Sequence, residues 1–313
     1  MANPRIMLIG SGSMGQNHAR VTANSARADL AVIVDPREGV AKPIAERYGA
    51  QWAAEPDFSS VDAVIVAAAT EAHPDIAAAV IAAGKPMLLE KPLAAGIEAS
   101  REIVALSEAA GTPLMCGFVE RYNPAVVTAR ALMSQPVYVT AQRHSPYAPR
   151  ILTGVSWDLL VHDVDLAITL LSSTPAKVHS TLGVFNPNSL ADAEDVADVI
   201  MTFESGAMAS ISAARIGQKK VRTLVIHEVD RLIELDLLRR DVTVYHHVSA
   251  SAVDEGRGYK QQTVIEIPEL VTSQEPLSAQ LDRFVDVLQG KVDADTERAS
   301  ILPSHEVIAK VKA

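Results

Sequence analysis

The 313 residues are 48% hydrophobic, 21% charged and 4% aromatic, a globular composition that excludes a disordered chain, and their number predicts two domains. With 28 Lys and Arg against 38 Asp and Glu the net charge is −10, which argues against nucleic acid or an anionic membrane as partner but leaves an anionic small ligand open. No signal-peptide pattern and no apolar run of about eighteen residues stands out, and a single Cys116 forms neither an internal disulfide nor a structural zinc site alone, so the expected compartment is cytoplasmic.

In chain order, Arg5 to Ile9 reads as a strand, Met14 to Ala26 as a helix, Leu30 to Val34 as a strand and Val40 to Tyr48 as a helix. Strands at Ala63 to Ala68 and Pro86 to Leu89 flank a helix from Pro74 to Ala83 that stops at Gly84. A helix over Ile97 to Ala110 stops at Gly111 and leads to a strand at Leu114 to Phe118. This alternation predicts a Rossmann domain with a doubly wound parallel sheet over residues 1–122. Over residues 123–313, one helix, Trp157 to Leu171, precedes a series of strand patterns. They run over Val178 to Gly183, Val196 to Phe203, Ala207 to Ala213, Arg222 to Ile226, Leu232 to Leu235, Val242 to His246 and Thr263 to Ile267. That texture predicts an α+β domain with an open, mostly antiparallel sheet. Ala250 to Gly258 reads as a loop, and helices at Leu277 to Leu288 and Thr296 to Val311 close the chain, with Pro303 expected to kink or restart the last.

Gly10, Gly12 and Gly15 match G-x-G-x-x-G between a strand and a helix, the context in which the pattern carries a mechanism. The first glycine allows the tight turn, the second lets the backbone approach a pyrophosphate, and the third lets helix and strand pack closely. The helix start at Ser13 and Met14 then offers unpaired amides to phosphates. Asp35, twenty residues beyond Gly15, would accept hydrogen bonds from the adenosine ribose and repel a 2′-phosphate, which favours NAD. Arg37 keeps NADP open, since a guanidinium there could pair with that phosphate.

Glu90-Lys91-Pro92 follows a parallel strand at the end where ligands of such sheets gather, and Pro92 biases Lys91 toward an extended conformation aimed at the crevice; a merely solvated lysine is the alternative. Asp158, His162 and Asp165 fall at i, i+4 and i+7, on one face of a predicted helix. Two carboxylates are costly to bury, so these are not expected as core positions; they read as catalytic or as a solvent-facing stripe. No metal is expected, because no second His stands at suitable spacing and hydride transfer needs none.

Together these motifs resemble the Gfo/Idh/MocA family of sugar and polyol dehydrogenases. The likeness is carried by Gly10-x-Gly12-x-x-Gly15-x-x-His18, Thr70-x-x-His73, Glu90-Lys91-Pro92, Gly117-Phe118-x-x-Arg121-Tyr122-Asn123-Pro124 and Asp158-x-x-x-His162-x-x-Asp165. The resemblance implies Lys91 as active-site lysine with Asp158 and His162 completing the catalytic group, and Thr70, His73 and Glu90 beside the cofactor. It implies Arg121, Tyr122, Asn123, Trp157 and Asp165 near the substrate, and a homo-oligomer, dimer or tetramer. The segments 117–124 and 157–165 are similar to members that oxidise UDP-N-acetylglucosamine at the 3-hydroxyl, so the implied substrate is a sugar or nucleotide sugar. An inositol or aldose dehydrogenase is the alternative within the family, and a non-catalytic NAD-binding sensor the alternative outside it. One departure is Glu228-Val229-Asp230, where many relatives place a glycine in the turn. His162, with an ordinary pKa near 6.5, suits proton exchange at neutral pH, and Asp158 could orient it; a Lys91 of lowered pKa is the other candidate base.

Overall fold

The structure, a computed structural model, describes residues 2–149, 151–251 and 259–313; residues 252–258 of the expected loop Ala250 to Gly258 lie outside the described residues. The chain forms two compact units: Met1–Tyr122 with Gln274–Ala309, and Asn123–Ser273 with Lys310–Ala313.

The first unit begins with β1 (Arg5–Ile9), α1 (Ser13–Ala23), β2 (Asp29–Val34), α2 (Glu38–Arg47), β3 (Gln51–Ala53), β4 (Ala63–Val66), α3 (His73–Ala82), β5 (Met87–Leu89), α4 (Ile97–Ala109) and β6 (Leu114–Cys116). Its six strands are parallel in the order β3-β2-β1-β4-β5-β6, the doubly wound arrangement, whose chain direction switches between β1 and β4. β4 and β5 are buried at every position, and β1 at all but Arg5, as a sheet covered on both faces requires. That is why they read as unbroken apolar runs. The three-residue edge strand β3 is too short and too exposed to leave such a trace.

The second unit holds α5 (Pro124–Leu132), β7 (Tyr138–His144), a π-helical turn (Ser156–Leu160), α6 (Val161–Leu171) and β8 to β14 (Pro175–Gly183, Val196–Phe203, Met208–Ala214, Val221–His227, Arg231–Asp236, Asp241–Ser251, Tyr259–Glu266). The sheet order is β14-β13-β12-β11-β7-β10-β9-β8, antiparallel throughout except that β7 and β10 run parallel. Two elements go beyond the sequence reading, α5 and β7. Asn123 caps α5 by accepting from Ala125 N at 3.1 Å, with Pro124 in the first turn, where a missing amide is harmless. β7 is one of the sheet's two central strands, and its Arg143 is wholly buried in a two-bond pair with Asp163 of α6 (2.7 and 2.8 Å). A charged residue there interrupts the apolar alternation that reveals other strands.

The chain then returns to the first unit through α7 (Pro276–Leu288), α8 (Ala294–Ala299) and α9 (Leu302–Lys312). Leu277, Leu281, Phe284 and Val285 of α7 share one core cluster with Ile6, Leu8, Ile33 and Ile65. Each such side chain contributes roughly 1.5–3 kcal/mol on burial. This corrects the unbroken 123–313 domain: the apolar face of α7 finds its partner surface beside β1 and α1. The single helix expected over Thr296 to Val311 is two, and Pro303 stands in the first turn of α9, where it restarts the helix. Among the described residues, no helix is long and apolar enough to cross a membrane.

Candidate active site

In the first unit, Ile9 pairs with Val34 on one side and Val66 on the other, so Gly10, Asp35 and Ala67 leave the sheet side by side at its switch point. Gly10 has φ +100°, and a Cβ there would lie 2.5 Å from Ala67 O; at Gly15 a Cβ would lie 2.0 Å from Gly10 O. Both positions therefore exclude a side chain. At Gly12, by contrast, nothing lies within 4 Å of where a Cβ would stand, and no side chain caps the amides that open α1 at Ser13 and Met14. The turn thus fits a dinucleotide: an open approach, free helix-start amides and a positive dipole end for the phosphates.

Asp35 is buried, and its carboxylate accepts from Ser11 N (2.9 Å), Ser11 Oγ (2.6 Å), Arg37 N (3.0 Å) and the Arg37 guanidinium (2.9 and 2.7 Å). The Arg37 pair, helped by Ser11, holds its pKa far below the ordinary carboxylate value against the opposing effect of burial. Asp35 and Arg37 are thus partners, and the guanidinium is held by the carboxylate it was expected to rival.

Around Lys91 the polar side chains converge on the loop that carries it. His18 of α1 meets Glu90 through Nε2 and Oε1 at 2.7 Å, both buried, and Glu90 Oε2 accepts from Lys91 N at 3.2 Å. Gly117 makes room for that carboxylate, since a Cβ there would lie 2.6 Å from Glu90 Oε2. His73, also buried, faces Pro92 O (3.1 Å) and Leu93 O (3.3 Å) with Nδ1 and Ala68 O (3.3 Å) with Nε2. Burial pushes its pKa down, although the carbonyls favour the cation. His305 of α9 completes the clamp. Its Nδ1 faces Ile301 O at 2.9 Å and its Nε2 accepts from Leu93 N at 3.1 Å, which assigns the neutral ring with the proton on Nδ1; burial pushes its pKa down to about 4. The Lys91-Pro92 peptide is cis, and Lys91 is half-buried. Thr70 is half-buried in the short turn before α3. Sequence reading missed His305, whose bond to Leu93 spans 212 residues.

In the second unit, Asp158 lies in the π-helical turn and His162 and Asp165 in the α-helix that continues it. The i, i+4, i+7 spacing therefore does not describe one regular α-helical face, and π turns are common at functional sites. Asp165 is 3% exposed, which overturns the expectation that none of the three is a core position; His162 is also buried. Asp158 keeps 24% of its side chain exposed, and its Oδ2 accepts from Arg215 Nη2 at 2.7 Å. Arg215, the residue after β10 and itself buried, also donates to Thr153 O at 2.8 Å. Glu194 holds the start of the turn: its Oε1 accepts from Ser156 N (2.8 Å) and its backbone oxygen from Val155 N (3.0 Å). Burial alone would raise the Glu194 carboxyl, but Lys312 and Ser156 outweigh it and bring it below its ordinary value. Gly154 is the space that carboxylate needs, for a Cβ would lie 2.3 Å from it.

The residues implied near the substrate have structural contacts of their own. Arg121 donates to Ser300 Oγ (2.8 Å) and Ser300 O (3.0 Å) and stacks over Phe118 at 4.7 Å; Tyr122 packs on the first unit's core. Asn123, besides capping α5, donates to Leu237 O at 3.0 Å; Trp157 is buried. At the departure noted above, Glu228 N bonds Arg231 O, while the Glu228 carboxylate accepts from Ser134 N, Gln135 N and Arg231. This turn is fixed by a buried acid.

Residues 4–118 match the model of an oxidoreductase family with an NAD-binding Rossmann fold, and residues 125–228 that of the GFO/IDH/MocA C-terminal domain. The chain belongs to the GFO/IDH/MocA family. It is 29% identical over 292 residues to a UDP-N-acetylglucosamine 3-dehydrogenase from Acidithiobacillus ferrooxidans, covering 92% of this chain and 90% of that protein. It is 33% identical over 232 residues to inositol 2-dehydrogenase 2 from Saccharopolyspora erythraea, covering 66% of this chain and 65% of that protein. A solved structure of the Acidithiobacillus ferrooxidans enzyme superposes with a TM-score of 0.82 at 25% identity, covering 100% of this chain and 98% of the other. The cofactor class of this GFO/IDH/MocA protein follows from the family: NAD is the ligand that its Rossmann turn takes.

Proposed function

We propose that the protein oxidises a secondary hydroxyl of a nucleotide sugar, UDP-N-acetylglucosamine at its 3-hydroxyl, with NAD as hydride acceptor. The observation that carries this reading is the fixing of the Lys91 loop by three buried side chains, the adjacent Glu90 together with His73 of α3 and His305 of α9. Such preorganisation is what a donor aimed at a developing oxyanion requires.

NAD, when bound, supplies the hydride acceptor. His162 takes the proton of the reacting hydroxyl, a role suited to imidazole at neutral pH. The Lys91 ammonium donates to the same oxygen and stabilises its alkoxide character as the carbon–hydrogen bond weakens. Asp158, held by Arg215, orients the imidazole. The substrate assignment is supported by similarity to the UDP-N-acetylglucosamine 3-dehydrogenase over 92% of the chain.

A second reading, an inositol dehydrogenase, is supported by the 33% identity to an inositol 2-dehydrogenase. NADH formation with UDP-N-acetylglucosamine, free N-acetylglucosamine, myo-inositol and glucose separates them. Turnover of the nucleotide sugar at least tenfold above the rest is expected. Turnover of inositol alone would transfer the assignment to the second reading, and NAD binding with no turnover of any sugar would leave a sensor.

A further inference from the structure

β7 and β10 run parallel in register from Tyr138 and Met208 to His144 and Ala214, so their ends lie side by side. Beyond those ends, Ser145 N bonds Ala214 O and Gly217 N bonds Ser145 O, which ties the two exit loops together. With the loop after β8 they line an open cleft of about 510 Å³, bordered by Pro146, Tyr147, Phe185, Asn186, Ile216 and Gln218, among others. That volume falls within the range of small-ligand sites, about 300–1,000 Å³.

The Phe185 ring is 67% exposed, yet it is held. A Cβ on Gly183 would lie 2.3 Å from the ring, so the ring rests on the space that glycine leaves. Its main chain is fixed as well, because Phe185 N and Asn186 N both donate to the buried Asp195 carboxylate, at 2.8 and 2.7 Å. Tyr147 OH donates to Asn188 O at 3.0 Å, which anchors the second aromatic side chain. An exposed aromatic ring fixed from below is a stacking platform. The Gln218 side chain carries both donors and an acceptor, and Asn186, whose Oδ1 accepts from Asn188 N at 3.0 Å, adds its amide NH2 as donor, together the complement of a pyrimidine edge. Lys219 and Lys220 follow Gln218 and are exposed, offering two cations in a chain of net charge −10. Arg215, which holds Asp158, immediately precedes the lining residue Ile216, so the cleft and the Asp158 carboxylate share one support.

We propose that this cleft is the nucleotide subsite: Phe185 stacks the base, Asn186 and Gln218 bond its edge, and Lys219 and Lys220 meet the diphosphate. The proposal rests on the nucleotide-sugar reading above and names the residues that would confer it.

Titration of UDP into the NAD-loaded protein by calorimetry, alongside turnover of UDP-N-acetylglucosamine, tests it. Phe185→Ala is expected to weaken UDP binding about tenfold or more, and Lys219→Gln/Lys220→Gln severalfold with a flatter salt dependence, while NAD affinity holds in both. Equal UDP affinity in wild type and both variants, with wild type still oxidising UDP-N-acetylglucosamine, would overturn the subsite and leave the substrate assignment standing. No UDP binding by wild type, with turnover of free sugars or inositols only, would overturn both. The exposure of Phe185 and of the lysines makes folding of the variants an easy control, by thermal melting.

Discussion

Arg215, the residue after β10, places a guanidinium nitrogen 2.7 Å from Asp158 Oδ2, and the arginine side chain is 3% exposed while the aspartate side chain is 24% exposed. A buried cation thus holds a member of the proposed catalytic trio that, like the half-buried Lys91 and unlike the buried His162, keeps part of its side chain exposed. Arg215→Met should lower kcat on the order of tenfold to a hundredfold, the effect of losing a charge-assisted hydrogen bond, and Arg215→Lys should recover part of it. The pH profile decides between roles: a shifted kcat profile marks an orienting residue. A lower melting temperature with kcat and profile intact would mark packing alone.

Lys91 and His162 are proposed to act on the reacting hydroxyl and not to hold the dinucleotide. Lys91→Met and His162→Asn should each lower kcat at least a hundredfold, about 3 kcal/mol of transition-state stabilisation, while NADH titrates near normally. If both kept more than a tenth of wild-type turnover, the acid–base and electrostatic roles would be withdrawn.

Cofactor choice follows from the Asp35–Arg37 pair. Because the guanidinium is held by the carboxylate at 2.7 and 2.9 Å, the native protein should prefer NAD over NADP in kcat/KM. Asp35→Ala removes the anion and frees Arg37 for a 2′-phosphate, so the preference should narrow. A wild type that favours NADP severalfold would contradict this.

His305 predicts an acid limit to stability. Its pKa falls from an ordinary 6.5 to about 4 on folding, so between those values the unfolded chain binds the proton more tightly. The stabilisation is complete above pH 6.5 and is lost as pH falls through that window, by on the order of 3 kcal/mol below pH 4. Protonation would set an Nε2 hydrogen against the Leu93 amide that this nitrogen now accepts. Denaturant midpoints should therefore drop between pH 6.5 and 4, and His305→Gln should flatten that part of the curve. An unchanged slope would exclude His305 as the source.

What the sequence shows plainly is what depends on neighbours along the chain. The glycine turn is legible because Gly10, Gly12 and Gly15 act within six residues, and the buried parallel strands because both faces are apolar. The cap on α5 is written locally too, in Asn123 and Pro124, and is visible once sought. The Arg143–Asp163 pair, the Glu194 carboxylate on Ser156 and the His305 ring on Leu93 join residues 20, 38 and 212 positions apart. No periodicity announces such pairs. The π turn at Asp158 is hidden for a related reason, since it changes the helical pitch without changing the type of residue used.

The return of α7 to the core of the first unit sets an order of events on the ribosome. The strands of the Rossmann sheet are complete at Cys116, yet Leu277, Leu281, Phe284 and Val285 belong to its apolar cluster. At about 5–20 residues per second, the roughly 160 residues in between take on the order of 8–32 s to emerge. Through that interval the nascent sheet carries an uncovered strip of hydrophobic surface, the kind that chaperones bind. A fragment ending at Tyr122 should accordingly melt without cooperativity, and regain it when a peptide spanning residues 274–309 is supplied in trans.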